Sequence, residues 1–307
     1  MKKSRVFYWC PFIDKVATIK AVYNSALSLN KYSFNKFEGY ILDVFGEWSN
    51  FNNEENNLIK FEYLNKINIL NYFSSQGFIK SRIKYILIFL FSYFPLKKFL
   101  LNKKPEFLII HLVTSLPLFL NLINTFETKM ILRISGKPKL NIFRYYFWLL
   151  TLKKIHKITF PTIETLNYFK RLNITDPNKF ELLYDPIINA KSKKKKIKNN
   201  LKFKDYYLAI GRLTKQKNFL FLLKCFKILS KINPNIKLII LGEGEQRLLL
   251  EKFIMNNELK DNVFLPGYKI DVYKYLYNCK LFILSSLWED PGFVILEATH
   301  ARSLVLS

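Results

Sequence analysis

What most limits the fold of this chain is a repeated alternation of short apolar runs with longer amphipathic stretches. RVFYW (Arg5–Trp9), YILDVF (Tyr40–Phe45), FLIIH (Phe107–His111), KMILRI (Lys129–Ile134) and KITF (Lys157–Phe160) have the length and apolar density of strands buried on both faces. Helical patterns such as TIKAVYNSALSL lie between most of them. Strands that alternate with helices predict parallel sheets joined by right-handed crossovers, because parallel neighbours need a long connection across the sheet face.

The pattern breaks at LYDPIINAKSKKKKIKNN, which holds a proline and the run Lys193–Lys196. A run of this kind is a solvated linker or, less commonly, a lipid or nucleic-acid patch. The break predicts a first domain over 1–190, a basic linker over 191–202 and a second domain over 203–307. The second series reads YYLAIGRL, helix NFLFLLKCFKILSKI, KLIILGEG, helix EQRLLLEKFIMNN, NVFLPG, helix VYKYLYN and KLFILSS. Two parallel-sheet domains of Rossmann-like style are expected to face a cleft, with ligands beyond the carboxyl ends of the strands.

At 307 residues, half of them hydrophobic, the chain can build two cores. Lysine and arginine outnumber aspartate and glutamate 49 to 23, a formal net charge of +26, which suits an anionic partner such as a lipid headgroup or a phosphorylated substrate. Without a helix-turn-helix, zinc-finger or RNP-like pattern, nucleic acid is not an expected partner. Cys10, Cys225 and Cys279, like His111, His156 and His300, are scattered without metal-ligand spacing, so nothing suggests a disulfide framework or a zinc site; no cofactor is expected. The start MKKSRVFYWCPF lacks the apolar core and cleavage site of a signal peptide, which predicts a cytoplasmic location. YILIFLFSYFPL (Tyr85–Leu96), at about a dozen residues, is short for a spanning helix and reads as a core helix or an interfacial membrane-contact helix between lysines.

The strand ends of the second half carry the chemistry. In GRLTKQKN, Gly211 permits a tight turn while Arg212 and Lys217 bring two cations to one mouth; next to helix N-termini they suit a diphosphate, or are a solvated surface pair. GEGE follows with Gly242, and PGY after it. In SSLWEDPGFVILEA, Pro291-Gly292 marks a loop-to-helix transition, with Glu289 in the loop and Glu297 inside the helix. The two acids would touch different parts of one ligand, or serve as helix cap and surface charge.

GRLTKQKN, LGEGEQRLLLE and the E-x7-E spacing of Glu289 and Glu297 resemble the nucleotide-sugar domain of retaining glycosyltransferases of family 4, which have the GT-B fold. The resemblance implies that Arg212 and Lys217 hold the donor diphosphate and stabilise its leaving charge, that Glu289 binds hydroxyls of the donor sugar, and that Glu297 binds the ribose. Gly211, Gly242, Gly292 and Phe293 would complete the donor site, with no metal needed. In the first half, WCPFIDKVATIKAVYNSALSL resembles the family's first strand, loop and helix, but Ala17 and Thr18 stand where a glycine-rich loop is expected, and alanine does not freely take positive φ. His111 matches a histidine near the donor sugar, or is a structural histidine at a sheet edge. RISGKPKLNIFR, with Arg133, Ser135 and Gly136, resembles the acceptor-side loop of bacterial surface-polysaccharide and lipopolysaccharide transferases.

Family 4 enzymes continue past the E-x7-E helix, whereas this chain stops at RSLVLS, so its second domain reads as incomplete. The expected function is a membrane-associated glycosyltransferase that moves a sugar from a nucleotide-sugar to a lipid-linked saccharide at the inner face of the membrane. The alternatives are a non-catalytic relative acting as a basic membrane-surface interaction protein, or a GT-B sugar-nucleotide epimerase.

Overall fold

Continuous apolar runs become the inner strands of two all-parallel sheets. A computed structural model describes residues 3–12, 17–51, 58–65, 78–138, 140–188, 205–269, 271–289 and 291–307. The chain divides into two compact units, Met1–Pro186 and Ile187–Ser307. The linker expected at 191–202, with its lysine run, lies outside the described residues.

The first unit holds strands β1 (Ser4–Trp9), β2 (Phe37–Asp43), β3 (Lys60–Tyr63), β4 (Phe107–Ile110), β5 (Lys129–Arg133), β6 (Lys157–Phe160) and β7 (Phe180–Leu182). They lie in the order β3-β2-β1-β4-β5-β6-β7, so the winding reverses between β1 and β4. On one face, helix α1 (Ala17–Tyr32) packs Ile19, Val22 and Ala26 against Val6, Tyr8 and Ile41. The other face is covered by α2 (Phe78–Lys103), α3 (Ser115–Ile123), α4 (Ile142–Thr151) and α5 (Ile163–Leu172), which meet Phe7, Trp9, Leu108, Leu132 and Phe160 in the larger core. α2 is far longer than its apolar dozen: it runs 26 residues with Pro95 inside it, because the flanking Lys, Arg and Leu residues also favour helix.

The second unit has β8 (Tyr207–Ile210), β9 (Leu238–Leu241), β10 (Val263–Gly267), β11 (Leu281–Ile283) and β12 (Val305–Leu306), in the order β10-β9-β8-β11-β12. Helices α6 (Phe219–Ile232), α7 (Arg247–Asn256), α8 (Tyr273–Leu276) and α9 (Phe293–His300) cover its faces. The reversal of winding lies between β8 and β11, where a doubly wound sheet opens a crevice beyond its strand ends.

Candidate functional site

The loops leaving β8 and β11 are neighbours because these strands pair, Leu281 with Tyr207 and Phe282 with Leu208. The backbone N–H of Leu287 donates to Gln216 O at 2.9 Å, Gln216 Nε2 to Trp288 O at 2.9 Å, and Ser285 Oγ to Lys217 O at 2.8 Å. The two loops are thereby zipped along their length. Lys217 Nζ lies 2.5 Å from Glu289 Oε1, and Ser286 Oγ donates to that oxygen at 2.6 Å. Their side chains are only 13% and 17% exposed, so the pair is screened far less than a surface ion pair.

Two glycines let the loops come this close. A Cβ on Gly211 would stand 2.9 Å from Lys217 Cε, so the bare backbone is what allows the lysine stem to lie across the strand end. Gly242 has φ +145, and a Cβ there would fall 1.9 Å from Gly211 O. The N–H groups of Gly211 and Leu213 donate at 2.9 Å to Leu241 O and Glu243 O, and that of Gln246 to Leu213 O, which carries the β8–β9 ladder past the strands.

The two arginines of this mouth differ. Arg247 donates to Glu243 Oε1 and Leu265 O and pairs with Glu251, so it is an internal clamp. Arg212 is exposed and, among the described residues, has no side-chain hydrogen bond or ion pair. An unpaired guanidinium on the same loop as the half-buried Lys217 presents positive charge to an anion.

α9 starts at Phe293 behind Gly292, whose φ of +75 turns the chain back over Glu289. Asp290 lies outside the described residues. Glu297 sits within α9, half-buried, and its charge reaches two tyrosines. Burial first and Glu297 second push the Tyr273 hydroxyl up to about 12, and the same two causes raise Tyr268. The sequence motifs leave out Tyr268, Tyr273, Gln216 and the pair Ser285-Ser286; their signal was position alone, in the segments that follow β8, β10 and β11.

In the first unit, His111 follows β4, its N–H donating to Trp9 O at 2.9 Å. The ring is buried, and among the described residues its Nδ1 has no partner. Burial, and then the charge of Arg133, pull the imidazole down to about 3, so it is neutral near pH 7. Arg133 is the last residue of β5, in register with Thr159, and is 3% exposed with Nη2 2.8 Å from Asp185 Oδ1. It is thus a buried member of the sheet end and not part of the following loop, where Ser135 and Gly136 lie half-buried. Burial raises the Asp185 carboxyl, with Arg133 opposing. Ala17 and Thr18 open α1; the loop before them, 13–16, lies outside the described residues. The structure therefore gathers His111 with Arg133 in one unit, and Gly211, Lys217, Gly242, Glu289 and Gly292 in the other, with Arg212 beside them.

The family model of glycosyl transferases group 1 matches residues 190–307. An uncharacterized glycosyltransferase of Methanocaldococcus jannaschii is 35% identical over 131 residues, 43% of this chain and 32% of that one. The N-acetylgalactosamine-N,N'-diacetylbacillosaminyl-diphospho-undecaprenol 4-alpha-N-acetylgalactosaminyltransferase of Campylobacter jejuni is 25% identical over 189 residues, 59% of this chain and 51% of that one. The matches thus span a third to a half of these curated relatives' lengths. Among solved structures, the pneumococcal O-GlcNAc transferase GtfA in complex with UDP and GlcNAc superposes with a TM-score of 0.70 at 10% identity, covering 99% of this chain and 84% of that one. With two parallel sheets and this likeness to solved structures, the chain has the two-domain GT-B fold, and its residues 190–307 are similar to the glycosyl transferases group 1.

Proposed function

We propose that the protein is a retaining glycosyltransferase that moves a sugar from a nucleoside-diphosphate sugar to a lipid-linked saccharide in the synthesis of a bacterial cell-surface polysaccharide. The observation that carries this reading is the Lys217–Glu289 pair held between two strand-end loops, with Arg212 unpaired beside it. Arg212 and Lys217 hold the diphosphate. When the bond from the anomeric carbon to the phosphate oxygen breaks, the electron pair leaves on that oxygen, and the two cations offset the new charge. The acceptor hydroxyl forms the new bond and gives up its proton to the departing phosphate.

Glu289 takes the donor sugar's hydroxyls once the diphosphate competes for Lys217, and Glu297 takes the ribose. Gly211, Gly242, Gly292 and Phe293 keep the backbone close to the donor. The neutral His111 donates or accepts a hydrogen bond near the transferred sugar, while Ala17, Thr18, Ser135 and Gly136 belong to the acceptor side, with Arg133 behind them. The domains are taken as 1–190, a linker over 191–202 and 203–307. The enzyme works in the cytoplasm, in peripheral contact with an anionic membrane surface.

Support comes from the names of the relatives: the Campylobacter protein transfers a sugar to a diphospho-undecaprenol acceptor. Neither the interaction-protein nor the epimerase alternative has comparable support. Calorimetry against UDP, GDP and ADP tests the donor site. One nucleotide should bind and weaken at least about tenfold in Arg212→Ala, the loss of one charge-assisted contact; well-folded protein that binds none of the three would refute the reading.

A further inference from the structure

We propose that the outer faces of α2 and α4 together form the surface that docks on an anionic lipid bilayer. This rests on the membrane-contact reading above and assigns it to a face. α2 is apolar around its circumference, which in a soluble protein marks a helix buried on all sides. At 100° per residue, Ile88, Leu96, Phe99 and Leu100 fall on one arc and enter the core of the first unit. Ile86, Leu90, Phe94 and Leu101 fall on the opposite arc and are exposed, Phe94 by 75%. α4 repeats the arrangement. Trp148 points inward, while Ile142, Phe143, Tyr146 and Leu150 recur at helical spacing on the outside, Phe143 83% exposed.

α3 packs between the two helices, so both outward stripes belong to one helix layer on one side of the sheet. Large apolar side chains exposed on the two helices that flank α3 make a surface of the kind that marks an interaction site.

Charge selects the occupant. Residues 63–105, which contain α2, hold eight lysines and arginines and no carboxylate, and residues 128–163, which contain α4, hold eight and none; Lys103, Lys104, Arg133, Lys137 and Lys157 pair with acids outside these stretches, which leaves the cations of the helices themselves, Lys97 and Lys98 among them, in excess. Lys97 and Lys98 interrupt the apolar arc of α2 itself. Two copies of this face brought together would set cation against cation with no acid in either stretch to pair them. A layer of anionic headgroups supplies the missing charge, and its acyl boundary takes the apolar side chains. Over Tyr85–Lys103 the helix is long and apolar enough to cross a membrane, yet its inner arc is part of the sheet's core, so it lies along the bilayer instead of through it.

The test is flotation of the full chain with vesicles of phosphatidylcholine alone and of phosphatidylcholine with phosphatidylglycerol. Wild type should float with the anionic vesicles and fall off at high salt. Leu90→Ser with Phe94→Ser and Phe143→Ser should cut partitioning at least about tenfold at an unchanged melting temperature; Lys97→Glu with Lys98→Glu should remove the preference for anionic lipid. If the serine variant floats as well as wild type, the face is wrong while membrane contact stands. If folded wild type floats with neither vesicle, both readings fall. A dimer in solution that the serine variant converts to monomer would give the face to a second copy and overturn the proposal.

Discussion

Lowering the pH should unfold the first unit through His111. The imidazole goes from 6.5 in the unfolded chain to about 3 in the fold, so between those values the unfolded state holds one more proton. A depressed value gives stability that is complete above pH 6.5 and lost as pH falls, at about 1.4 kcal/mol per pH unit. By pH 4.5 the loss is about 2.7 kcal/mol, and about 5 kcal/mol once pH is below 3, a large part of an ordinary domain's stability. Other buried groups oppose it. The Glu47 carboxyl, raised by burial and by Asp43, and that of Asp185, raised by burial, favour the fold when protonated and gain as pH falls. The decisive quantity is therefore the difference between wild type and His111→Gln, which removes the one titration. Urea unfolding followed by tryptophan fluorescence suits this, since Trp9, Trp48 and Trp148 are all buried in the first unit. Wild type should lose about 2.7 kcal/mol more than the variant between pH 7.5 and 4.5; parallel curves would refute a buried, neutral His111.

The two glycines of the second unit should separate stability from binding. Gly242→Ala meets backbone at 1.9 Å with an unfavourable φ and should cost about 3 kcal/mol or more in thermal or urea unfolding, whereas Gly211→Ala meets only a flexible lysine stem and should cost less while weakening nucleotide binding in calorimetry. Glu289→Gln should release Lys217 from its pair, leaving bare nucleoside diphosphate binding unchanged or a few-fold tighter while sugar transfer falls about a hundredfold. Weaker binding in calorimetry would mean that the pair braces the loop and does not compete with the ligand.

Much of this was legible in the sequence, for a physical reason. Inner strands of a parallel sheet are buried on both faces, so β1, β4, β6 and β8 announce themselves as unbroken apolar runs. β3 and β7 escaped because they are the two edges of their sheet: KFEY alternates with charge, and FEL is three residues long. Residue types at the strand ends could be read, but their contacts could not. The sequence motifs give Lys217 and Glu289 to different parts of a ligand, and only the pairing of β8 with β11 sets them side by side across a separation of 72 positions. Arg133 looked like a loop cation, because nothing in RISGKPK points to a carboxylate at Asp185.

That span also has a temporal meaning. A ribosome adds about 5–20 residues per second, so Lys217 is made roughly 4–14 s before its partner acid. Throughout that interval Lys217 lacks the acid that pairs with it in the fold. The Lys217–Glu289 pair thus forms late in synthesis, once the loop after β11 can join the loop after β8.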